Sequence, residues 1–138
     1  MSAMLANRGT DAYKQVHRVS GVEAADPHQL VDMLMSGALE RIASAKGNMQ
    51  RSEIAEKGNN ISKSITIIEG LRGSLNHDQG GELSGNLDAL YEYMQSQLVK
   101  ANLNNDSAIL DEVLGLLVEI RGAWNQIPED VRQSFRQG

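Results

Sequence analysis

Apolar residues recur along this chain at intervals of three and four in four successive stretches, each bounded by residues that cap or break helices. The first opens at Asp26-Pro27, where Asp accepts from free backbone N–H groups and Pro suits the first helical position. It carries Leu30, Met33, Leu34, Ala38, Ile42, Ala45 and Met49, and Gly47-Asn48 weakens its end. Ser52 with Glu53 caps a second stretch bearing Ile54, Ile61, Ile65, Ile68, Leu71 and Leu75, which Asn76-His77-Asp78 and Gly80-Gly81 terminate. The third, Gly80 to Asn102, places Leu83, Leu87, Leu90, Met94, Leu98 and Ala101 on one stripe, with Tyr91 beside it and Tyr93 off it. Asn104 and Asn105 make a turn, and Asp106 caps the fourth stretch. That stretch runs through Ile109, Leu110, Val113, Leu114, Leu117, Ile120 and Trp124 to Ile127, before the break at Pro128.

Helices of about twenty residues joined by short turns predict an all-α fold, an antiparallel up-down four-helix bundle. The expected bundle is a single domain over residues 26–127. Residues 1–25, where Ala12, Tyr13, Val16 and Val19 suggest a short amphipathic helix, read either as a frayed terminus or as a capping flap anchored by Tyr13, and residues 128–138 as a polar tail with a lone Phe135. Two features exceed a minimal bundle. Ile65, Ile67 and Ile68 point in different directions around the second helix, as do Leu116, Leu117 and Val118 around the fourth, whereas a bundle helix needs an apolar stripe about 100° wide. The surplus is left for a groove, a partner or the N-terminal flap. Glycines also fall inside the predicted helices, among them Gly37, Gly58, Gly85, Gly115 and Gly122, each costing roughly 0.5–1 kcal/mol relative to Ala, as a plastic bundle with shallow grooves would tolerate.

Composition narrows the function. With 41% hydrophobic residues among 138 the chain folds, and with only 4% aromatics its core is aliphatic. A net charge of −5 without a basic block argues against nucleic acid and anionic membranes. The absence of cysteine removes disulfides, thiolate catalysis and Cys-type zinc sites, and fits a reducing compartment. No run reaches the ~18 apolar residues of a membrane span, and no secretory signal is expected, so the location read from the sequence is the cytoplasm.

No catalytic constellation is expected. His17, His28 and His77 lack the Glu three residues upstream that di-iron bundles need, and each reads as exposed and inert. Glu40, Glu69, Glu92, Glu112 and Glu119 read as solvated surface. Gly80-Gly81 precedes no Gly-Lys-Ser/Thr, and Ser36 and Ser84 lie in no nucleophile elbow. The residues alone describe a helical binding module without metal or cofactor, and not an enzyme.

An ordered set of short blocks carries a resemblance. Ala12-Tyr13-Lys14-Gln15-Val16, Pro27-His28-Gln29-Leu30-Val31-Asp32-Met33-Leu34 with Gly37-Ala38-Leu39, Gly80-Gly81-Glu82-Leu83, Asn86-Leu87 and Leu90-Tyr91 with Tyr93 are followed by Leu98, Ala101 and Asn102. Val113, Leu117, Arg121, Ala123 and Trp124 complete the set. In that order, over residues 12–125, the chain resembles the FliS family of flagellar secretion chaperones. It departs where Met35 and Ser36 replace an aromatic and an acidic residue, and where Ser84 replaces a common alanine. The resemblance implies a cytoplasmic chaperone that binds the disordered, apolar C-terminal segment of flagellin, prevents premature polymerisation and delivers it to the flagellar export gate. It implies binding along the outside of the bundle, partly by helices laid in grooves. Tyr91, Tyr93 and Trp124 would be anchors, and Ile67, Leu83, Leu87, Leu90 and Met94 apolar contacts. Asn60, Lys63, Asn86 and Asn102 would hold backbone or carboxylates, and Tyr13 would dock the N-terminal flap over the same groove. A helical adaptor for another amphipathic helix is the alternative, and pairing of the free chain into a homodimer is left open.

Overall fold

A computed structural model describes residues 26–127; the N-terminal segment with Tyr13 and the polar tail lie outside the described residues. Within them, Asp26 starts the first helix as expected, its carboxylate accepting from the His28 backbone N–H at 2.9 Å with Pro27 in the first turn. Helix α1 spans Pro27–Gln50, α2 Ile54–Gly73, α3 His77–Asn104 and α4 Ser107–Gln126. Asp106 likewise caps α4 by accepting from the Ala108 N–H at 3.0 Å.

The second start departs from expectation. Glu53 makes no side-chain cap on α2, and Ser52 sits at φ 57° in the tight turn. The Glu53 carboxylate instead accepts from Asn48 Nδ2 and Arg51 Nε, each at 2.9 Å, so it closes the α1–α2 turn rather than the helix end. At the α2–α3 junction α2 stops at Gly73, and one helical turn precedes a kink at Gly81 with φ 55° and ψ −127°, a conformation that only glycine adopts cheaply. The Asn76 carbonyl bridges the kink, accepting from the Gly80 N–H at 2.7 Å and from Ser84 Oγ at 3.0 Å.

Each helix packs against two others in a closed ring: α1 with α2 and α4, and α3 with α2 and α4. Hydrogen bonds join opposite ends of neighbours. His28 at the start of α1 meets Trp124 at the end of α4, and Lys46 near the end of α1 meets Asp111 near the start of α4. Lys57 early in α2 reaches Asn102 late in α3, while Arg72 late in α2 reaches Asp88 early in α3. Together the four helices form a helical bundle around one core of Leu, Ile, Met and Ala with Tyr91.

The buried positions alternate in steps of three and four, the spacing of a coiled-coil seam. On α3 the seam is Ser84, Leu87, Tyr91, Met94, Leu98 and Ala101; on α2 and the residues after it, Lys57, Ile61, Ser64, Ile68, Leu71 and Leu75. Both differ from the stripes of purely apolar residues. Leu83 and Leu90 give way to Ser84 and Tyr91, and Ile54 and Ile65 to Lys57 and Ser64; of these, Ser84, Lys57 and Ser64 find hydrogen-bond partners inside. Ser64 Oγ donates to the Ile61 carbonyl at 2.7 Å. Lys57 Nζ donates to the Asn102 carbonyl at 3.1 Å and to Asn105 Oδ1 at 2.8 Å. Among the described residues no buried side-chain nitrogen or oxygen lacks a partner, so these polar positions avoid the cost of an unmade hydrogen bond.

Candidate partner-binding surface

Displacing Leu83 and Leu90 from the core seam creates a second stripe on α3. Leu83, Asn86, Leu90 and Tyr93 follow at intervals of three, four and three, so they share one face. Leu83 is 47% exposed and Tyr93 43%; Asn86 is exposed and Leu90 half-buried against the core. The stripe borders α4, since Tyr93 Oη donates to both oxygens of Glu112 at 3.0 Å and Gln97 Nε2 donates to the same carboxylate at 2.9 Å. Glu112 holds the Tyr93 phenol above its ordinary pKa through that hydrogen bond.

The neighbouring Tyr91 has the opposite fate. Two residues before Tyr93, it lies on about the opposite side of the helix and points into the core at 2% exposure, and burial pushes its phenol well above the usual range. Ile67 and Met94 are also buried, and Leu87 is half-buried against the core. Ile67, Tyr91 and Met94 therefore belong to the bundle interior and not to its surface. Asn60 is engaged within the bundle, donating to Asn48 Oδ1 at 2.8 Å and accepting from Arg41 at 3.2 Å. Asn102 contributes its carbonyl to Lys57. Lys63 is exposed, but on α2, which packs against α1 and α3 and so places it off the α3–α4 border.

Trp124 lies elsewhere again. Its indole stacks on the His28 imidazole with centroids 4.8 Å apart and planes within 10°. The pair is reciprocal: His28 Nε2–H donates to the Trp124 carbonyl at 2.9 Å, and Trp124 Nε1–H donates to the His28 carbonyl at 3.0 Å. His28 is thus half-buried and bonded, not the inert exposed residue expected. One turn further, Asp32 accepts from Arg121 Nε at 2.8 Å and Nη2 at 3.3 Å, and from Asn125 Nδ2 at 2.8 Å. Arg121 is the main cause of the lowered Asp32 pKa, against a smaller opposing effect of burial. A second network ties Arg72 to Asp88, Gln95 and Glu69 on the α2–α3 border.

Sequence reasoning missed Lys57, Ser64, Ser84 and the Asp32–Arg121 pair. A strict alternation of three and four through Ile61, Ile68 and Leu71 passes over Lys57 and Ser64 and was the available signal for both. Among the described residues no three His, Asp or Glu are grouped to hold a metal ion, and no helix is long and apolar enough to cross a membrane.

Comparison with known proteins places this architecture. A family model described as flagellar protein FliS matches residues 9–131. The flagellar secretion chaperone FliSB of Pseudomonas aeruginosa is 50% identical over 124 residues, covering 90% of this chain and 98% of the relative. The flagellar secretion chaperones FliS of Vibrio cholerae and Bacillus subtilis are 44% and 35% identical, covering 86% and 88% of this chain and 88% and 87% of the relatives. A bundle with a partly apolar outer stripe, matched over nearly its whole length by flagellar secretion chaperones, belongs to the FliS family, a family of chaperones and not of enzymes.

Proposed function

We propose that this chain is the cytoplasmic chaperone of a flagellin, that it holds the flagellin C-terminal segment as a helix against the outer face of α3 beside α4, and that it hands this cargo to the flagellar export gate. The observation that carries the reading is the exposed stripe Leu83–Asn86–Leu90–Tyr93. An amphipathic helix seats apolar anchors at such spacing, while Asn86 offers a hydrogen bond and Tyr93 an amphipathic ring. Masking the segment keeps it from pairing with other flagellin molecules before export. Family membership and the curated relatives' role in flagellar secretion support the choice of cargo. Residues 26–127 are the binding domain in this reading, and the N-terminal segment with Tyr13 covers the same face when cargo is absent, so deleting residues 1–19 tightens binding.

Calorimetric titration with the C-terminal segment of a flagellin from the same cell tests the reading. One-to-one binding with a large negative heat-capacity change is the expected signature of an apolar surface folding a disordered partner. Leu83→Ala and Tyr93→Ala each weaken it by about tenfold, the effect of losing a contact residue worth slightly more than 1 kcal/mol. Folded protein that ignores the segment would rule out the flagellin reading and leave an adaptor for a different amphipathic helix.

A further inference from the structure

The two halves of α4 are held by different forces. From Ser107 to Leu117, Leu110, Val113 and Leu117 are each fully buried. From Val118 to Gln126 no residue is buried; Ile120 and Trp124 continue the seam but are only half-covered. Apart from Ile120 and Trp124 packing against the edge of the core, the contacts that tie this last stretch to α1 are polar: the reciprocal His28–Trp124 hydrogen bonds with their ring stack, and the grip of Arg121 and Asn125 on Asp32. Asn125 is exposed and the Arg121 side chain more than a third exposed, so these bonds compete with water and hold weakly. Gly122 sits inside the stretch and Gly115 just before it, and a Cβ built at either meets nothing within 4 Å. No close packing requires these glycines; Gly122 lowers the helical stability of the segment, and Gly115 that of the turn leading into it.

We propose that residues 118–126 form a latched arm, which detaches from α1 by breaking the His28–Trp124 and Asp32–Arg121–Asn125 contacts and bares the apolar undersides of Ile120 and Trp124 to a partner helix. Few buried contacts and exposed hydrogen bonds are the marks of a segment that opens below the global unfolding free energy. Detachment follows from the packing of α4 alone. The gating role rests on the flagellin reading and extends it: the helix seated on the α3 stripe beside α4 gains Ile120 and Trp124 as further contacts only when the arm is open, so the opening equilibrium limits the rate of full seating.

The test combines native-state amide exchange of the free full-length chain with stopped-flow binding of the flagellin C-terminal segment. Two variants move the latch in opposite directions. Asp32→Asn removes the charge that Arg121 grips; Gly122→Ala favours the closed helix at a position with room for a methyl group. In the free protein the amides of residues 118–126 exchange faster than those of residues 107–117, faster still in Asp32→Asn and slower in Gly122→Ala. Association then runs about two- to fivefold faster in Asp32→Asn and slower by a similar factor in Gly122→Ala, although Asp32→Asn is the less stable protein. A structural role alone does not give faster binding to the less stable variant. Equal protection along the whole of α4 overturns the arm, whatever the cargo does. Fast exchange of the arm with unchanged association rates overturns the gating. Fast exchange with no binding by the parent chain overturns the flagellin reading, and the gating with it, while the arm stands.

Discussion

Two clusters of apolar residues, Ile65, Ile67 and Ile68 on α2 and Leu116, Leu117 and Val118 on α4, read alike and end differently. On α2, Ile67 and Ile68 are both buried and Ile65 is half-covered; on α4 only Leu117 is buried, and Val118 is 58% exposed. The difference lies in the neighbours. The broad face of α2 is taken in by α1, where Gly37 stands against Ile67 Cδ1, a Cβ there being only 3.6 Å away. Beyond Leu117, α4 keeps Ile120 and Trp124 half-covered at the edge of the core and meets α1 through hydrogen bonds and the Arg121–Asp32 ion pair, while Val118 lies off that line and is uncovered. An excess of apolar residues thus ends as exposed surface on one helix and as a wider core on another, and the spacing along the chain does not tell the two apart.

The sharpest test of this contrast is truncation at both sites. Ile68→Ala opens a cavity in a fully buried position and is expected to cost about 2–5 kcal/mol in urea unfolding, whereas Val118→Ala stays within about 0.5 kcal/mol. A loss at Val118 comparable to that at Ile68 would show that α4 is as firmly embedded as α2. Next in size is Lys57→Met, which keeps the buried stem on α2 and leaves the Asn102 carbonyl and Asn105 side chain without their donor. A destabilisation of about 1–3 kcal/mol, with faster amide exchange in the α3–α4 turn, is the expected result.

The α4 latch has a smaller effect, and one that depends on pH. Arg121 and Asn125 lower the folded pKa of Asp32 below the ordinary aspartate range. A depressed carboxylate contributes stability that is fully present above the unfolded pKa and is lost as pH falls through the folded one. Titrating stability downward from pH 5 should therefore reveal a loss of about 1 kcal/mol or less that Asp32→Asn abolishes, the small size reflecting a partly exposed pair. Smallest of all is Tyr93→Phe. Its hydroxyl meets Glu112 in water, so the unfolding midpoint should not move, while the ultraviolet titration of the remaining tyrosines loses the component due to Tyr93.

Much of this fold was legible because its signals are local. Asp26-Pro27 and Asp106 are caps whose function needs only the next two residues, and both act as read. The runs through Ile42 and Leu98 announce helices by spacing alone. Ser52-Glu53 failed as a cap although its competitors are also local: Asn48 and Arg51, within the same turn, take the carboxylate, and Ser52 itself turns at φ 57°. The candidate surface was legible only in part. Leu83, Asn86 and Tyr93 are indeed outside, yet Tyr91, named beside them, is inside, and Asn60 is spent on a bond across α1 and α2.

By itself the sequence determined the four helices of the described residues, three of their four starts to within a few residues, the aliphatic nature of the core and the absence of a nucleophilic or metal-binding centre built on cysteine. Helix periodicity, capping and composition are properties of neighbouring residues, so they survive in a one-dimensional reading. Only the tertiary structure decided which of two adjacent residues faces inward. Turning α3 by one residue puts Ser84 and Tyr91 in the seam and sends Leu83 and Leu90 toward the surface, because the Asn76 carbonyl receives Ser84 and the space between helices accepts a whole phenol ring. Lys57 likewise enters the core because the end of α3 supplies two oxygens for its ammonium group. Such partners lie far away in sequence, and their contribution appears only when the helices have been brought together.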